Sequence, residues 1–571
     1  MDSTPLNKKQ KHMKNKLYSL FEFTKRKAKY LVIALILGSS VFLMSAVDNS
    51  FEIVKNLDIL YTVVRELDAF YVDEIDHGKT IKVGIDKMLE SLDPYTNYIP
   101  ESKIEDFRFM TTGSYGGIGA LIRKTGENAV VTDPYEGKPA QKAGIKAGDI
   151  LLRIDEFDTN GKEISAISEK LKGIQNSTLK VVVERFGEPA PLTFNVVREN
   201  IHISSVPFYD LLEGNIAYIQ FNNFTQNCAQ ELKSSIDSLV GRGATSMILD
   251  LRGNPGGLLN EAITISNFFL PKGQLIVSTK GKMKQWNRDY TTTDEPILPK
   301  MPVVVLVNRG SASASEIVAG ALQDLDRGVV LGSRTFGKGL VQATRPLSYK
   351  AQMKLTTAKY YIPSGRCIQA LDYSHRNEDG SVGTVPDSLI SEFTTKNGRK
   401  VYDGGGIKPD IDIETNLLSR ITAGLYVDNY IFDFATQYAH KTNLIESPQQ
   451  FSISDNDYTD FIEFVNKGNF KYEMESNNKL SQLIKTLKSE KYYEIVEDEV
   501  KELEQKMKQD LQKDLMVFKD EISRLINEEV ISRYYYQRGR AIFYMRHDAE
   551  LDSAKVILNN MDRYNSILQL N

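Results

Sequence analysis

The chain has 571 residues, of which 41% are hydrophobic and 26% charged. This is the balance of a globular protein of about three or four folding units, and it excludes a wholly disordered chain, a collagen and a polytopic membrane protein. Lys plus Arg number 71 against 75 Asp plus Glu, a net charge of -4 that gives no support for nucleic acid as the main partner. The two cysteines, Cys228 and Cys367, cannot build a disulfide framework. The six histidines (His12, His77, His202, His375, His440 and His547) are scattered, with no two at zinc-motif spacing. Neither a metal site nor a cofactor is expected.

Residues 1–29 form a basic leader in which Lys8, Lys9, Lys11, Lys14, Lys16, Lys25, Arg26, Lys27 and Lys29 face only Asp2 and Glu22. Residues 30–47, from Tyr30 to Val47, are uncharged and mostly apolar, just long enough for a membrane-spanning helix. Basic flanks stay cytoplasmic, so the sequence predicts a single-pass anchor in the inner (cytoplasmic) membrane. The bulk of the chain would then lie on the periplasmic or extracytoplasmic side. A cleaved signal peptide is the rival reading. Its best site follows Ala46, but Met44 at the -3 position is larger than the usual small residue, and the long leader favours an anchor.

Residues 51–110 read as an N-terminal helical segment. Ile53, Leu57, Leu60, Val64, Leu67 and Tyr71 recur at steps of three and four, and Asp93-Pro94 ends a second helical pattern. Residues 111–200 read as a small α+β domain. Short β-like runs at Gly119–Arg123, Ala129–Thr132, Asp149–Ile154, Leu179–Glu184 and Leu192–Val197 surround one helix near Ile164–Leu171. Residues 201–415 alternate strand and helix. Ile216–Phe221, Ser246–Leu251, Pro302–Val307 and Val329–Leu331 read as strands; Cys228–Val240, Leu258–Leu270 and Ala314–Gln323 read as helices. That alternation predicts βαβ crossovers and a largely parallel sheet. Residues 416–571 are charged and helical. Val496, Val500, Leu503, Met507, Leu511, Leu515, Phe518, Ile522 and Leu525 recur at a mean step of about 3.6, which predicts a straight amphipathic helix rather than a coiled-coil seam.

Three segments of the alternating region carry chemistry. Asp250-Leu251-Arg252-Gly253-Asn254-Pro255-Gly256-Gly257 lies between a strand and a helix, where glycines free backbone N–H groups to face an oxyanion. Taken alone, the same residues also make a good turn. Gly310-Ser311-Ala312-Ser313-Ala314-Ser315-Glu316 spans a strand-to-helix corner, the place for an exposed nucleophile with N–H groups beside it. A helix N-cap is the other reading of a serine there. Thr335-Phe336-Gly337-Lys338-Gly339-Leu340-Val341-Gln342 supplies a base in a stretch, Asp250 to Gln342, that holds no histidine. A lysine serves as base when desolvation leaves it neutral, and Ser-Lys pairs are a variant of the triad. Gln342, four residues on, is neutral and would not keep the amine protonated, whereas a carboxylate would. Lys338 by itself also fits a solvent-facing loop lysine.

In combination these segments resemble the C-terminal processing, or tail-specific, proteases. Ser311 to Glu316, Phe336-Gly337-Lys338-Gly339 with Gln342, and Arg252 to Gly257 stand in the order and at the intervals of that family. The resemblance covers most of residues 51–415. Leu92-Asp93-Pro94-Tyr95-Thr96 is similar to the family's N-terminal helical segment, and Gly404-Gly405-Gly406-Ile407-Lys408-Pro409-Asp410 to the end of its catalytic region. It implies Ser313 as nucleophile, Lys338 as general base and Gln342 as its orienter. It implies an oxyanion hole from the N–H groups of Gly256, Gly257 and Ala314. It implies a multidomain α/β fold: the helical segment, a PDZ-like domain at 111–200, a crotonase- or ClpP-like core at 201–415, and a helical C-terminal region. Tyr115-Gly116-Gly117-Ile118-Gly119 resembles the PDZ carboxylate loop, so Gly116, Gly117, Ile118 and Gly119 would hold a substrate's free C-terminus, with an apolar terminal side chain beside it. Ala143-Gly144-Ile145-Lys146-Ala147-Gly148-Asp149 resembles the second PDZ signature.

The expectation is thus an exported serine endopeptidase acting near the C-termini of protein or peptide substrates, held at the membrane by its N-terminal segment. A catalytically inactive PDZ-type scaffold is the alternative, and intact Ser313, Lys338 and Gln342 argue against it. An unrelated Ser-His hydrolase would have to recruit His202 or His375 from outside the three segments. The natural substrate, the association of copies into a homo-oligomer and the role of residues 416–571 are open at this level.

Overall fold

The computed structural model describes residues 51–377, 379–413, 418–508 and 510–570. The leader and the membrane segment expected at 30–47 lie outside the described residues. The described chain divides into two units, the first ending in sequence at Met88 and the second beginning at Leu89. In the first, residues 51–70 are one helix, as the period predicted, with Ile53, Leu57 and Leu60 exposed along it. No helix among the described residues is long and apolar enough to cross a membrane.

Within the second unit, the strands Ala120–Thr125, Asn128–Pro134, Ile150–Ile154, Thr178–Glu184 and Leu192–Val197 form one antiparallel sheet in that order. Alternate residues such as Leu179, Val181 and Val183 point inward against Ile118, Ala140, Ile145, Ile167 and Leu171. Ser114–Gly117 pairs antiparallel with Glu199–His202, so the small domain begins and ends on two adjoining strands.

The larger body is built on a six-stranded sheet, ordered Phe208–Leu212, Ile216–Gln220, Ser246–Asp250, Val303–Val307, Val329–Gly332 and Ile411–Asp412. The first pair is antiparallel and every other pair is parallel. A parallel sheet needs both faces covered, and Val303-Val304-Val305-Leu306-Val307 is accordingly apolar throughout. Val303, Val305 and Val307 pack under the helices Cys228–Gly241, Leu259–Asn267 and Ala314–Asp324. Val304 and Leu306 face the other way, where Leu551, Ala554, Ile557, Leu558, Tyr564 and Leu568 cover them. These residues belong to Ala549–Leu558 and Met561–Leu568, the last two helices of the chain. The boundary expected at 415/416 therefore cuts through one packed layer, since the end of the C-terminal region closes the sheet begun at residue 208.

The rest of that region has its own core, in which Ile421, Leu425, Phe434, Phe461, Val465, Leu515, Ile522 and Ile526 meet. The straight helix expected over 496–525 is interrupted. The segment is divided among Glu497–Lys506, Leu511–Val517 and Lys519–Tyr544. The Asp510 carboxylate accepts the Lys513 N–H and caps a new helix, so the apolar period runs on while the axis changes.

A second sheet matters to the site. Gln352–Tyr361 lies between Asn97–Ile99 and Leu275–Gly281, and Leu340–Pro346 pairs with it as well. This brings the Asp93–Thr96 turn beside Gln342 and Thr356.

Candidate active site

In a parallel sheet, ligands bind beyond the C-terminal ends of the strands. Ser246–Asp250 and Val303–Val307 are neighbours, and the loops leaving their C-terminal ends are the Arg252–Gly257 and Gly310–Ser313 segments. Asn308 ties the two together, its Oδ1 accepting the N–H of Gly253 (2.9 Å) and of Gly310 (2.9 Å).

Three serines compete for the corner, and two are engaged. Ser311 Oγ donates to Leu251 O (2.7 Å) and Ser315 Oγ donates to Asn254 O (2.9 Å), and both residues are fully buried. Ser313 is half-buried and has φ of +56°, a conformation uncommon for a residue with a Cβ. It is the N-cap of Ala314–Asp324. Its N–H donates to Glu316 Oε2 (2.8 Å).

Glu316 is the organising group that sequence reasoning left unassigned. Fully buried, it also accepts Thr335 Oγ1–H (2.6 Å), Gly337 N–H (2.7 Å) and Lys338 N–H (2.9 Å). Burial pushes its carboxyl up, against the pull of these four donors. The Ser-x-x-Glu spacing of a capping box was visible in the sequence. The second set of donors, from residues 335–338, was not. Tyr360 makes a parallel tie, its hydroxyl lying between Lys338 O (2.6 Å) and Ser313 O (3.1 Å).

The glycines flanking Lys338 let the backbone close around it. A Cβ on Gly337 would stand 2.4 Å from Ala370 Cβ, and one on Gly339 2.9 Å from Gln369 N. The Lys338 amine lies 4.2 Å from the centroid of the Tyr95 ring. Burial first, and the Lys354 cation second, push its pKa down to about 8, against the pull of Glu316 and Asp93. Among the described residues this amine makes no hydrogen bond. Such bonds are often long in unliganded enzymes and tighten with substrate bound. Among the described residues no hydrogen bond joins Gln342 to the Lys338 amine. Its amide donates to Thr356 Oγ1 (3.3 Å), which donates to Asp93 Oδ1 (3.2 Å). Asp93 holds the turn that carries Tyr95, by accepting the N–H of Tyr95 (2.8 Å) and of Thr96 (2.8 Å).

The oxyanion donors come out differently from the expectation. Gly256 N–H is committed to Asn254 Oδ1 (2.9 Å), so Gly256 is not a free donor. Its contribution is proximity: a Cβ there would stand 2.8 Å from both Ser313 Cβ and Ala314 N. Gly257 N–H and Ala314 N–H have no acceptor among the described residues. Gly257 is placed by its neighbours, Phe224 N–H reaching Gly256 O (3.0 Å) and Leu258 N–H reaching Phe224 O (2.8 Å).

Among the described residues no histidine makes a hydrogen bond to Ser313. His202 lies between Ser114 Oγ (3.0 Å) and Glu231 Oε1 (2.7 Å) at the base of the small domain, and His375 pairs with Asp372. In the glycine loop of that domain, Gly116 and Gly117 lie in the paired strand, and a Cβ on Gly116 would stand 2.2 Å from Gly173 O. Ile118 is core, and Gly119 turns the chain at φ +71°.

The sequence matches peptidase family S41 over residues 215–387 and a PDZ domain over 130–185. Residues 421–558 match a family described as the C-terminal helical domain of a probable PDZ-protease. A carboxy-terminal-processing protease of Bartonella bacilliformis is 34% identical over 374 residues, which cover 64% of this chain and 83% of that one. A probable CtpA-like serine protease of Staphylococcus aureus strain MRSA252 is 31% identical over 433 residues, 75% of this chain and 81% of that one. Among solved structures, a photosystem II D1 C-terminal processing protease is 27% identical over 63% of this chain and 93% of that one, with a TM-score of 0.35. The chain is a serine peptidase with a PDZ domain. It belongs to the carboxy-terminal-processing proteases of family S41.

Proposed function

We propose that this chain is an exported, membrane-anchored endopeptidase that cleaves proteins near their C-termini, with Ser313 as nucleophile and Lys338 as base. The observation that carries this reading is the half-buried Lys338, its amine pushed down to about 8 by burial and its backbone tied by Glu316 and Tyr360, which also hold Ser313. Ser313 Oγ attacks the scissile carbonyl carbon as its proton passes to the neutral amine. The carbonyl oxygen becomes an oxyanion received by Gly257 N–H and Ala314 N–H, at the N-terminus of a helix whose dipole favours negative charge. The C–N bond breaks as the Lys338 ammonium returns the proton to the leaving nitrogen. A water, deprotonated by the same amine, then attacks the acyl ester, and the ammonium gives that proton to Ser313 Oγ as the C–O bond breaks and the acid product leaves. Gln342 acts on the base indirectly, through Thr356, Asp93 and the turn that lays Tyr95 over the amine.

The test is proteolysis of an unfolded protein, comparing the parent with Ser313→Ala. Loss of one hydroxyl leaves the fold unchanged and lowers the rate by about 10³–10⁶. Equal cleavage by the two removes Ser313 from the role. The reading of Gly116 to Gly119 as a carboxylate loop is supported by the glycines that flank the buried Ile118 at a turn. Binding to the full-length Ser313→Ala chain should weaken by about 1–3 kcal/mol when a peptide's C-terminus is amidated. Equal affinities would leave the small domain without that role. The anchor reading rests on the charge asymmetry around residues 30–47, and fractionation of cells expressing the whole chain tests it: recovery without detergent would oppose it.

A further inference from the structure

Arg252 opens the loop that carries Gly257, and three carboxylates from two remote parts of the chain surround its guanidinium. Asp250, at the end of the preceding strand, accepts from Nε (2.9 Å) and Nη2 (2.5 Å). Asp548 accepts from Nη1 (3.0 Å) and Nη2 (2.6 Å). Glu550 accepts from Nη1 (2.5 Å). All five N–H donors of the fork are thus used. Arg252 is 18% exposed, and its partners Asp250, Asp548 and Glu550 are 5%, 14% and 12% exposed, so water screens these bonds little. Asp250 is fixed from the far side by the Tyr218 hydroxyl (2.8 Å).

Asp548 and Glu550 lie 296 and 298 residues beyond Arg252, at the start of the helix Ala549–Leu558. That helix cannot drift, because Leu551, Ala554, Ile557 and Leu558 cover the second face of the central sheet. Paired bonds from a planar guanidinium set its orientation as well as its distance. Two residues on, Asn254 connects this fixed point to the site. Its Oδ1 accepts Gly256 N–H (2.9 Å), its Nδ2 donates to Phe221 O (2.7 Å), and its carbonyl oxygen accepts from Ala312 N–H (3.0 Å) and Ser315 Oγ (2.9 Å).

We propose that Asp548 and Glu550 are positioning residues of the peptidase. Through Arg252, the last helices of the chain hold the oxyanion loop in register with Ser313, so the catalytic centre is incomplete without the C-terminal region. This rests on the reading of Gly257 and Ala314 as the oxyanion donors, and it gives the region after residue 416 a task in catalysis although it contains no reacting group. Glu550 Oε1 is buried without a hydrogen-bond partner among the described residues, so Asp548, with both oxygens on the fork, is the stronger arm of the clamp.

Asp548→Asn tests it in the full-length protein. Asparagine still caps the helix, where Asp548 accepts the Leu551 N–H (2.9 Å), but it turns an NH₂ toward one of the Arg252 nitrogens. Removing an oxyanion donor outright costs about 10²–10³ in kcat, and displacing one costs less. The expected result is a kcat lower by about tenfold with KM unchanged, and an equal slowing of Ser313 labelling by a fluorophosphonate, whose adduct needs the same donors. Arg252→Lys keeps the charge, leaves the helix cap untouched and should show the same split. Asp552→Asn, on the same helix and paired outward to Lys555, should match the parent. A kcat that is unchanged in Asp548→Asn and Arg252→Lys, or that falls only in proportion to the folded fraction, overturns the proposal. Ser313→Ala run alongside separates the two readings. If it still cleaves, the assignment of the site fails. If it is inert while Asp548→Asn equals the parent, only the clamp fails.

Discussion

Lys354 offers a sharp test of how the base is set. The Lys338 amine is moved from 10.5 to about 8, by burial first and by the Lys354 cation second. At pH 7 an amine of pKa 8 is neutral about one time in ten, whereas one at 10.5 is neutral about once in 3,000. Lys354 lies in the strand Gln352–Tyr361, and its replacement by Met keeps an unbranched side chain and removes the charge. Burial of Lys338 remains, so its pKa should rise by about 0.5–1 unit. The working form is the deprotonated one, so activity is lost as pH falls through this pKa. The sign is therefore fixed: the kcat/KM inflection moves to higher pH, the rate at pH 7 drops about 3–10-fold, and the alkaline plateau keeps its height. The assay is a pH profile from 6 to 10 on a fluorogenic peptide, with thermal melts to show that both proteins are folded. An inflection that stays in place or moves down would refute the reasoning. So would a parent profile that turns near 6.5, where histidine titrates.

The anion on the other side should act in the opposite sense. Asp93→Asn removes a charge that holds the Lys338 pKa up, so the inflection should shift to lower pH, while the loss of the Thr96 hydroxyl bond to Oδ2 lowers stability by about 1 kcal/mol in urea unfolding. Glu316→Gln turns an NH₂ toward two of the four donors that the carboxylate receives, which should cost on the order of 3–5 kcal/mol by denaturant titration and leave proteolysis undetectable. Tyr360→Phe removes the hydroxyl between Ser313 O and Lys338 O and should lower stability by about 1–2 kcal/mol, with a larger proportional fall in kcat than in KM.

What the sequence determined by itself is short-ranged. The strand-to-helix corner at Ser313, the glycines around Lys338 and the α/β alternation depend on residues a few positions apart, and propensity and period act at that distance. The setting of the base was not legible, because it needs the Tyr95 ring from before the small domain and the Lys354 charge from the strand Gln352–Tyr361. Glu316 could be read as a helix cap but not as the acceptor that joins Ser313 to Lys338, since two of its donors, Gly337 and Lys338, are backbone N–H groups that carry no residue signature. The same limit explains Gly256, whose N–H is taken by an asparagine side chain two residues back. It also explains the C-terminal region. An apolar period states which face of a helix is buried and is silent about the partner. Only tertiary packing set Leu551 and Leu558 against the catalytic sheet and thereby carried Asp548 and Glu550 to Arg252, a meeting of charges that long-range apolar burial makes possible.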